Sequence, residues 1–330
     1  MFEDCFRRLA DNIERVVKGK RDVVELALVA LFAEGHLLLE DVPGTGKTTL
    51  ARALAASLGA DCRRVQFTPD LLPSDITGVS VFRQNTGSFE FLPGPVFANI
   101  VLADEVNRAS PKTQSALLEV MEERRITIDG AAHAVPRPFM VVATQNPVDM
   151  AGTYPLPEAQ LDRFMMRLLL GYPDHASEVT VAAGGPELAP AEQLTPIATA
   201  RHIDEFAAHV RTHVRVAEPV VDYAVRIVGA TRLSPLVRLG ASPRASVALV
   251  RAARVRAGAA GRDYVVPDDV KALAPAILAH RLLLNPDAEL SGSTAADVLA
   301  TALADTSAPQ VVPPPSTRRS RRGRGASTTD

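Results

Sequence analysis

A glycine-rich loop between an apolar strand and a helical segment constrains this chain more than any other feature. The run is Asp41-Val42-Pro43-Gly44-Thr45-Gly46-Lys47-Thr48-Thr49, and it stands between the apolar residues 37–39 and the helix-like residues 50–58. In this context the backbone N–H groups of the loop and of the helix N-terminus point at phosphate oxygens, and the helix dipole favours their negative charge. The loop therefore predicts a nucleotide site, with Lys47 reaching the β- and γ-phosphates and the Thr48 hydroxyl holding Mg²⁺.

The loop departs from the strict phosphate-loop pattern at its first position. The pattern begins with glycine, whereas this chain has Asp41 there. Because Pro43 and Gly44 can still form the tight turn, we interpret the run as a variant phosphate loop. The alternative is an ordinary Gly/Pro turn ahead of a helix, and the residues downstream disfavour it.

A second apolar run ends in two acids. Ile100-Val-Leu-Ala-Asp104-Glu105 is typical of a buried parallel strand whose carboxyl end meets a ligand. Successive strand residues point to opposite sides, so Asp104 can face Mg²⁺ while Glu105 faces the γ-phosphate and a water. An isolated acidic pair is usually just solvated, but a phosphate loop about sixty residues upstream favours a catalytic Glu105. A third apolar run, Phe139 to Ala143, ends close to Asn146, which could align the attacking water.

The composition is that of a large globular chain. With 330 residues, of which 47% are hydrophobic, it can bury a sizeable core, and we expect two domains. The longest purely apolar run, Leu26 to Ala33, is far too short for a membrane span, and the N-terminus lacks a secretory signal. Cys5 and Cys62 form neither a disulfide framework nor a metal-site spacing. The sequence thus predicts a soluble cytoplasmic protein.

Four segments follow one another along the chain. Residues 1–171 start helical and then alternate strand and helix signals, which predicts an α/β domain with a parallel sheet. Residues 172–200 are rich in Pro, Ala and Gly and read as a linker. Residues 201–305 are helical and predict an all-α lid domain, in which Pro219, Pro243 and Pro267 stand near helix starts.

The fourth segment, residues 306–330, is a basic tail. It carries five Arg and one Asp, so it contributes +4 to a net charge of −2 and leaves about −6 on the body. Its composition cannot form a core, and we expect disorder. A solubilising role is favoured over contact with nucleic acid or acidic lipid, and the acidic body argues against DNA as the main partner.

Two stretches interrupt the strand–helix alternation of the first domain. Residues 77–97 are rich in Gly, Ser and aromatics, and the spacing of Phe82, Phe89 and Phe91 predicts a small hairpin. The other stretch is Ile126 to Val135, where Asp129-Gly130 is a strong hairpin-turn signal between alternating β formers.

At this level of detail the chain resembles the MoxR-type AAA+ ATPases. The resemblance runs from about Val17 to Leu284, leaves out the basic tail, and is carried by the strings at Gly35 to Asp41, Arg63 to Gly78, Phe89 to Glu123, Ala143 to Pro147, Gly152 to Phe164 and Leu239 to Ala245. It implies that the two hairpins are the helix-2 insert and the pre-sensor-1 hairpin of this AAA+ branch.

The resemblance also implies roles for single residues. Asn146 matches sensor 1, and Arg163 matches the arginine finger that reaches the nucleotide of a neighbouring subunit. Arg244 matches sensor 2 of the lid, and Val17, Lys18 and Gly19 match the segment that contacts adenine. A plain salt bridge with Asp162 or another acid is the alternative for Arg163, and a helix-start arginine is the alternative for Arg244. Arg108 fits either a subunit interface or a cap of the helix after Ser110.

The function that the resemblance implies is hydrolysis of Mg-ATP by a homo-oligomeric ring, a hexamer, that remodels protein clients. A client or adaptor with a von Willebrand factor A domain is implied as well. A nucleic-acid motor is the first alternative, but Asp129 and His133 are the ionisable residues of the second hairpin, which carries no Lys or Arg. A non-hydrolysing scaffold is the second, and the presence of Glu105 with Asn146 and Arg163 disfavours it. His209 and His213 could bind a metal at i, i+4, but a solvated helix face is favoured.

Overall fold

The computed structural model of this protein describes residues 1–42, 44–146, 152–183 and 190–310, so the predicted site residue Pro43 lies outside the described residues. The strands are β1 (Leu37–Glu40), β2 (Cys62–Gln66), β3 (Gly78–Arg83), β4 (Ser88–Pro93), β5 (Ile100–Asp104), β6 (Arg125–Ile128), β7 (Ala131–Ala134), β8 (Met140–Gln145), β9 (Met166–Leu168), β10 (Val237–Leu239) and β11 (Leu283–Leu284). The α-helices are α1 (Phe2–Glu14), α2 (Arg21–Phe32), α3 (Lys47–Ser57), α4 (Pro73–Thr77), α5 (Pro111–Glu123), α6 (Glu158–Leu161), α7 (His175–Ala182), α8 (Ala200–His213), α9 (Glu218–Leu233), α10 (Pro243–Ala259), α11 (Pro267–Leu278), α12 (Pro286–Leu290) and α13 (Ala295–Asp305).

A five-stranded parallel sheet is the centre of the first domain. Its strand order is β2-β5-β8-β1-β9, and every pairing in it is parallel. Alternate residues of β5 and β8 enter two hydrophobic clusters on opposite faces, because successive strand side chains point to opposite sides. Both strands are apolar along nearly their whole length, as a sheet covered by helices on both faces requires. The predicted α/β fold is confirmed.

Strand polarity gives this sheet two chemically different edges. The carboxyl edge is the one where the strands end, and it carries the glycine-rich loop after β1, Asp104 at the end of β5 and Asn146 after β8. The amino edge is the one where the strands begin, and it carries His36 before β1 and Arg163 before β9. Ligands of open parallel sheets bind at the carboxyl edge.

Both predicted hairpins are present. β3 pairs antiparallel with β4, and β6 pairs antiparallel with β7. Asp129 and Gly130 connect the second pair with φ of 49° and 80°, the left-handed backbone that a two-residue hairpin turn needs. The rings of Phe91 in the first hairpin and His133 in the second lie 4.2 Å apart, so the two inserts touch.

The lid is helical, as expected, and the predicted prolines stand at or next to its helix starts. Pro243 and Pro267 are the first residues of α10 and α11, and Pro219 is the second residue of α9. Proline is favoured in the first helical turn because its missing N–H has no intrahelical partner there. The N-terminal helices α1 and α2 pack on α10, so the first 32 residues contact the lid as well as the sheet domain.

Residues 172–200 are more than the linker predicted from their composition. They contain α7 and a 3₁₀ turn at Ala191–Gln193, and the backbone N–H of Ile197 donates to the carbonyl of Ser57 at the end of α3. Ala191, Leu194 and Ala198 are buried in the main core. Short apolar residues spaced between prolines therefore pack against α3, the helix that follows the glycine-rich loop.

The tail also starts later than predicted. Thr306 is buried and its hydroxyl donates to the carbonyl of Ala302, while the carbonyl of Ser307 accepts from Arg226. These contacts extend α13 by a cap and fasten it to α9. Residues 311–330, which hold all five arginines of the tail, lie outside the described residues.

Candidate nucleotide-binding site

The glycine-rich loop has the backbone that its glycines permit. Gly44 and Gly46 have φ of +85° and +94°, a region that side chains with a Cβ rarely adopt. At Gly44 nothing lies within 4 Å of the place a Cβ would take, so the backbone conformation, and not crowding, requires glycine there. Gly46 is the N-cap of α3, and Lys47 is the first residue of that helix. The loop thus brings the N-terminus of α3, where the first N–H groups have no intrahelical partner, to the carboxyl edge.

Lys47 lies folded over the loop. Its Nζ donates to the carbonyls of Asp41 and Val42, at 2.7 Å each. Burial lowers the pKa of the Lys47 ammonium, and the negative charges of Asp41, Asp104 and Glu105 act in the opposite direction. The ammonium therefore faces the acids of the site and two carbonyl acceptors, which a phosphate group can replace.

The unusual Asp41 has a structural task at the start of the loop. Its Oδ1 accepts from the backbone N–H of Val42 at 2.8 Å, and its Oδ2 accepts from the N–H of Gly171 at 2.5 Å. Gly171 lies just after β9 with φ of +62°. Asp41 thereby ties the loop to the segment that leaves the neighbouring strand, a link that glycine at this position could not make.

Asp104 is held through both carboxylate oxygens. Its Oδ1 accepts from the Thr144 hydroxyl at 2.6 Å, and its Oδ2 accepts from Arg64 Nη2 at 2.6 Å and Nε at 3.0 Å. Its side chain is 13% exposed. The carboxylate is mostly shielded from solvent and lies at the carboxyl edge. Its oxygens and the Thr48 hydroxyl are ligands of the kind that Mg²⁺ prefers, so the chemistry of both residues fits the predicted Mg²⁺ role.

Glu105 lies in a strained backbone conformation. Its φ of 56° and ψ of 49° are left-handed, which costs a non-glycine residue energy and recurs at functional sites. The Thr144 hydroxyl accepts from its N–H at 2.9 Å, and its Oε2 accepts from Gln66 at 2.7 Å and Arg108 at 3.1 Å. Its carboxylate is therefore held by partners on two segments, and its backbone by a residue of a third.

Arg108 lies between Glu105 and the N-terminus of α5. The N-cap of α5 is Ser110, whose own hydroxyl accepts from the N–H of Thr113. Arg108 instead forms an ion pair with Glu105. It does not cap the helix, and the interface role stays a prediction.

A cavity of about 440 Å³ opens beside the loop and contains part of the predicted adenine segment. Its described lining comprises Val16, Val17, Lys18, Lys20, Gly44, Thr45, Gly46, Thr48, Thr49, Arg52, Pro173, Pro190 and Ala191. The neighbouring Gly19 packs so closely on Asp174 and Ser177 that a Cβ would lie 2.7 Å from each. Arg52 and the proline-rich wall were not found from the sequence, because a Pro/Ala/Gly-rich segment carries no periodic signal.

Arg163 and Arg244 lie at the other edge of the sheet. Glu122, near the end of α5, pairs with Arg163 Nη2 at 3.0 Å and with Arg244 Nη2 at 2.5 Å. Helix α5 runs back from the acid pair, so Glu122 reaches the amino edge, where the adjacent Met121 carbonyl meets His36. The salt-bridge alternative for Arg163 is thus realised with Glu122 and not with Asp162. Among the residues described around the loop cavity, neither arginine appears.

Arg244 thus lies away from the described lining of the loop cavity, and its contact with the nucleotide as sensor 2 of the lid stays a prediction. Arg244 opens α10, and the body of that helix packs on α1, α2 and α8. This packing carries the start of α10 to the amino edge. Its Ser242 cap donates a hydrogen bond to Asp162 at 2.8 Å and fastens it there.

A buried arginine that the sequence did not single out fixes the segment before β9. Arg281 is 8% exposed and donates to Asp162 Oδ1 at 2.8 Å and to the Phe164 carbonyl at 2.7 Å. Burial lowers its pKa, against the opposing effect of Asp162. Arg163 lies between these two anchored residues, so the lid positions it.

Two parts of the chain match known families. Residues 36–166 match the family described as "ATPase family associated with various cellular activities (AAA)", and residues 229–302 match the AAA lid domain. The solved structure of a Cytophaga hutchinsonii protein assigned as an ATPase is 39% identical, with a TM-score of 0.87 over 94% of this chain and 96% of that one.

Three relatives match most of the length of this chain. YeaC of Bacillus subtilis is 53% identical over 86% of this chain and 89% of its own length. The chaperone MoxR1 of Mycobacterium tuberculosis is 44% identical over 84% of this chain and 75% of its own length. Protein MoxR of Methylorubrum extorquens is 33% identical over 88% of this chain and 90% of its own length.

A parallel sheet with a glycine-rich loop before a helix, an acid pair two strands away and a helical lid defines the class as an AAA+ ATPase fold. Within that class, the chain belongs to the MoxR family. No helix in the described part of the chain is long and apolar enough to cross a bilayer.

Proposed function

We propose that this protein hydrolyses ATP as a homo-oligomeric ring and uses the energy to remodel protein clients. The observation that carries the proposal is the division of the site between the two edges of the sheet. Lys47, Asp104 and Glu105 share the carboxyl edge, and Arg163 and Arg244 share the amino edge. Strand β1 alone separates the edges by four residues, about 13 Å. A complete site therefore needs the amino edge of a second copy.

Each residue has a task at such a shared site. Lys47 exchanges its two carbonyl acceptors for phosphate oxygens, and Glu105, aimed by Gln66 and Arg108, accepts a proton from water. Mg²⁺, when bound through Thr48 and Asp104, supplies positive charge to the phosphates. Asn146 aligns the water at the end of β8.

The two arginines complete the site from the neighbouring subunit. Arg163 Nε is buried without a hydrogen-bond partner among the described residues, and Nη2 forms the ion pair with Glu122. We expect the guanidinium to exchange this carboxylate for the phosphate of a neighbouring subunit's nucleotide. Guanidinium groups stabilise the charge that spreads over the γ-phosphoryl oxygens. Glu122 holds both arginines together until a neighbour's nucleotide replaces it.

Mixed rings test this arrangement. Lys47→Ala removes the pocket and keeps the arginines, while Arg163→Ala does the reverse, and each variant alone should be nearly inactive. Mixed in equal amounts under exchanging conditions, they should recover about one quarter of the wild-type rate, because half of the pockets are intact and half of these face an intact Arg163. Lys47→Ala mixed with Arg244→Ala should recover equally.

A matched control is Lys47→Ala mixed with Glu105→Gln. Both changes damage the pocket side of the site, so this mixture should stay inactive. No recovery with Arg163→Ala, in rings that mass spectrometry shows to be mixed, would refute the shared site. Recovery with Arg163→Ala but not with Arg244→Ala would mean that Arg244 acts on the nucleotide bound by its own subunit.

The first hairpin is the part of the surface that we assign to the client. Phe82 and Phe89 near its tip are 51% and 72% exposed and pack edge to face at 5.3 Å. Exposed aromatic pairs are typical of protein-binding surfaces. A relative of this chain is named a chaperone, MoxR1 of Mycobacterium tuberculosis. The hexamer, the adaptor with a von Willebrand factor A domain and the cytoplasmic location stay predictions of the sequence.

A double variant tests the client surface. Phe82→Ser with Phe89→Ser should keep the basal ATPase rate and lose suppression of aggregation of a heat-denatured reporter protein. Leu290→Ser is the control, since Leu290 is 87% exposed on the lid and lies outside the hairpin. Equal suppression by wild type and the double variant would remove the hairpin from client binding.

A further inference from the structure

An arginine of the edge strand lies on the carboxylate that we assign to Mg²⁺. Arg64 in β2 donates to Asp104 Oδ2 through Nη2 at 2.6 Å and Nε at 3.0 Å. Its side chain is 46% exposed while that of Asp104 is 13% exposed. The guanidinium thus reaches from solvent over the edge of the sheet and covers an acid that is otherwise nearly buried.

The register of the sheet sets up this contact. β2 pairs in parallel with β5, and Gln66 is the partner of Asp104. Arg64 is two residues earlier, and side chains two apart in a strand share a face. Arg64 therefore points along the same face as Gln66, whose Oε1 accepts from Arg64 Nη2 at 2.6 Å. Arg63, on the alternate face, pairs with Asp61 instead.

Both oxygens of Asp104 are engaged in this state. Thr144 donates to Oδ1, and two N–H groups of Arg64 fill Oδ2. A carboxylate in this arrangement offers a second cation little free electron density, and the guanidinium adds positive charge beside the place where a divalent ion is needed.

We propose that Arg64 is an internal cation that occupies Asp104 in the resting protein and must leave when Mg²⁺ is loaded. It neutralises the acid in the absence of metal and so prevents an unpaired charge in a nearly buried site. The same contact raises the Mg²⁺ requirement of the site. Arg64 also donates to Gln66, which donates to Glu105, so its departure loosens one of the partners that hold the catalytic acid.

The test measures coupling between Mg²⁺ and nucleotide binding, and it rests on the proposed nucleotide site. Affinity for a fluorescent ADP analogue is measured in EDTA and in saturating Mg²⁺ for wild type, Arg64→Gln, Arg64→Lys and Arg63→Gln. The ratio of the dissociation constant in EDTA to the dissociation constant in Mg²⁺ should be about tenfold higher in Arg64→Gln than in wild type. That factor is the repulsion that remains when the displaced guanidinium stays roughly 6 Å from the divalent ion, at the dielectric constant of water.

The other variants separate local from general charge effects. Arg63→Gln changes the net charge by the same amount on the same strand, and its ratio should equal that of wild type. Arg64→Lys keeps the charge, and its ratio should stay within about threefold of wild type. Since Arg64 is half exposed, these variants should fold, which their melting temperatures in EDTA check.

The outcomes distinguish the two proposals. An unchanged or lower ratio in Arg64→Gln, with ADP binding intact in EDTA, would overturn the competition and leave the nucleotide site standing. An equal rise in Arg63→Gln would also overturn it, because general surface charge would then be the cause. Absence of ADP binding in wild type would instead overturn the nucleotide site itself.

Discussion

Acid should destabilise the folded protein through His36, which is fully enclosed between the sheet and α5. Its Nδ1 accepts from the N–H of Val141 at 3.0 Å, and its Nε2 lies 3.1 Å from the carbonyl of Met121. An acceptor at one nitrogen and a donor at the other define a neutral imidazole. Burial lowers the pKa of His36 to about 4, an effect that the Met121 carbonyl opposes and that Arg124 and Arg251 increase.

The magnitude follows from the two pKa values. The unfolded chain takes up this proton near pH 6.5 and the folded protein only near pH 4. The unfolded state therefore binds more protons in that window, and stability falls as the pH falls through it. The full shift corresponds to about 3 kcal/mol, and the part lost between pH 7 and pH 5 is about 2 kcal/mol.

Urea unfolding at pH 7 and pH 5 of wild type and His36→Asn measures this term. The Asn side-chain oxygen can still accept from Val141 N–H, and Asn does not titrate in this range. The variant should be less stable than wild type at pH 7 because the bond to Met121 is lost. That deficit should shrink by about 2 kcal/mol at pH 5. Other acid-sensitive groups, such as the buried His280, are present in both proteins and cancel in the difference. A deficit that is equal at both pH values would refute the neutral, low-pKa His36.

Three further predictions concern the loop, the acids and the tail. Lys47→Ala should lose nucleotide binding in a filter-binding assay. Glu105→Gln should still bind ATP but hydrolyse it at least about a hundredfold more slowly than wild type in steady-state assays. Hydrolysis by Glu105→Gln near the wild-type rate would exclude Glu105 as the base. Asp41→Gly restores the strict loop pattern but removes the link to Gly171. ADP affinity should fall by about fivefold to tenfold, the scale of the net contribution of one hydrogen bond. Equal or tighter binding of ADP would contradict the tethering role. Truncation after residue 310 should leave the melting temperature unchanged, and a large drop would mean that the tail docks on the body. Truncation after residue 305 should lower the melting temperature by about 2–4 °C, because the Thr306 and Ser307 contacts are lost.

Much of the site could be predicted because its signals are local. The glycines of the glycine-rich loop, the acid pair at the end of an apolar run and the Asp129-Gly130 turn are each contained within a few residues of sequence. Such patterns depend on backbone conformation and strand period, which a short window contains. The same holds for the lid helices, where prolines mark the starts. The carboxyl edge of the sheet follows as well, since parallel strands place their ends together.

The partners across the site were decided by tertiary structure. Arg64 and Asp104 are 40 residues apart, and Arg244 and Glu122 are 122 apart. No period in the chain relates such positions, and they meet because of sheet register in the first case and the packing of α10 in the second. For the same reason the composition of residues 172–200 predicts only a linker, since the alanines and prolines in the wall of the loop cavity find their packing partners only in the folded chain, against α3.

The sequence by itself thus determined which chemical groups form the proposed nucleotide site and that they lie at one edge of a parallel sheet. The tertiary structure decided that two of the expected arginines lie at the opposite edge, held by one glutamate. Local patterns depend on neighbouring residues and are written in the order of the chain. The meeting of distant helix ends depends on how whole elements pack, and that is settled only when the hydrophobic core is formed.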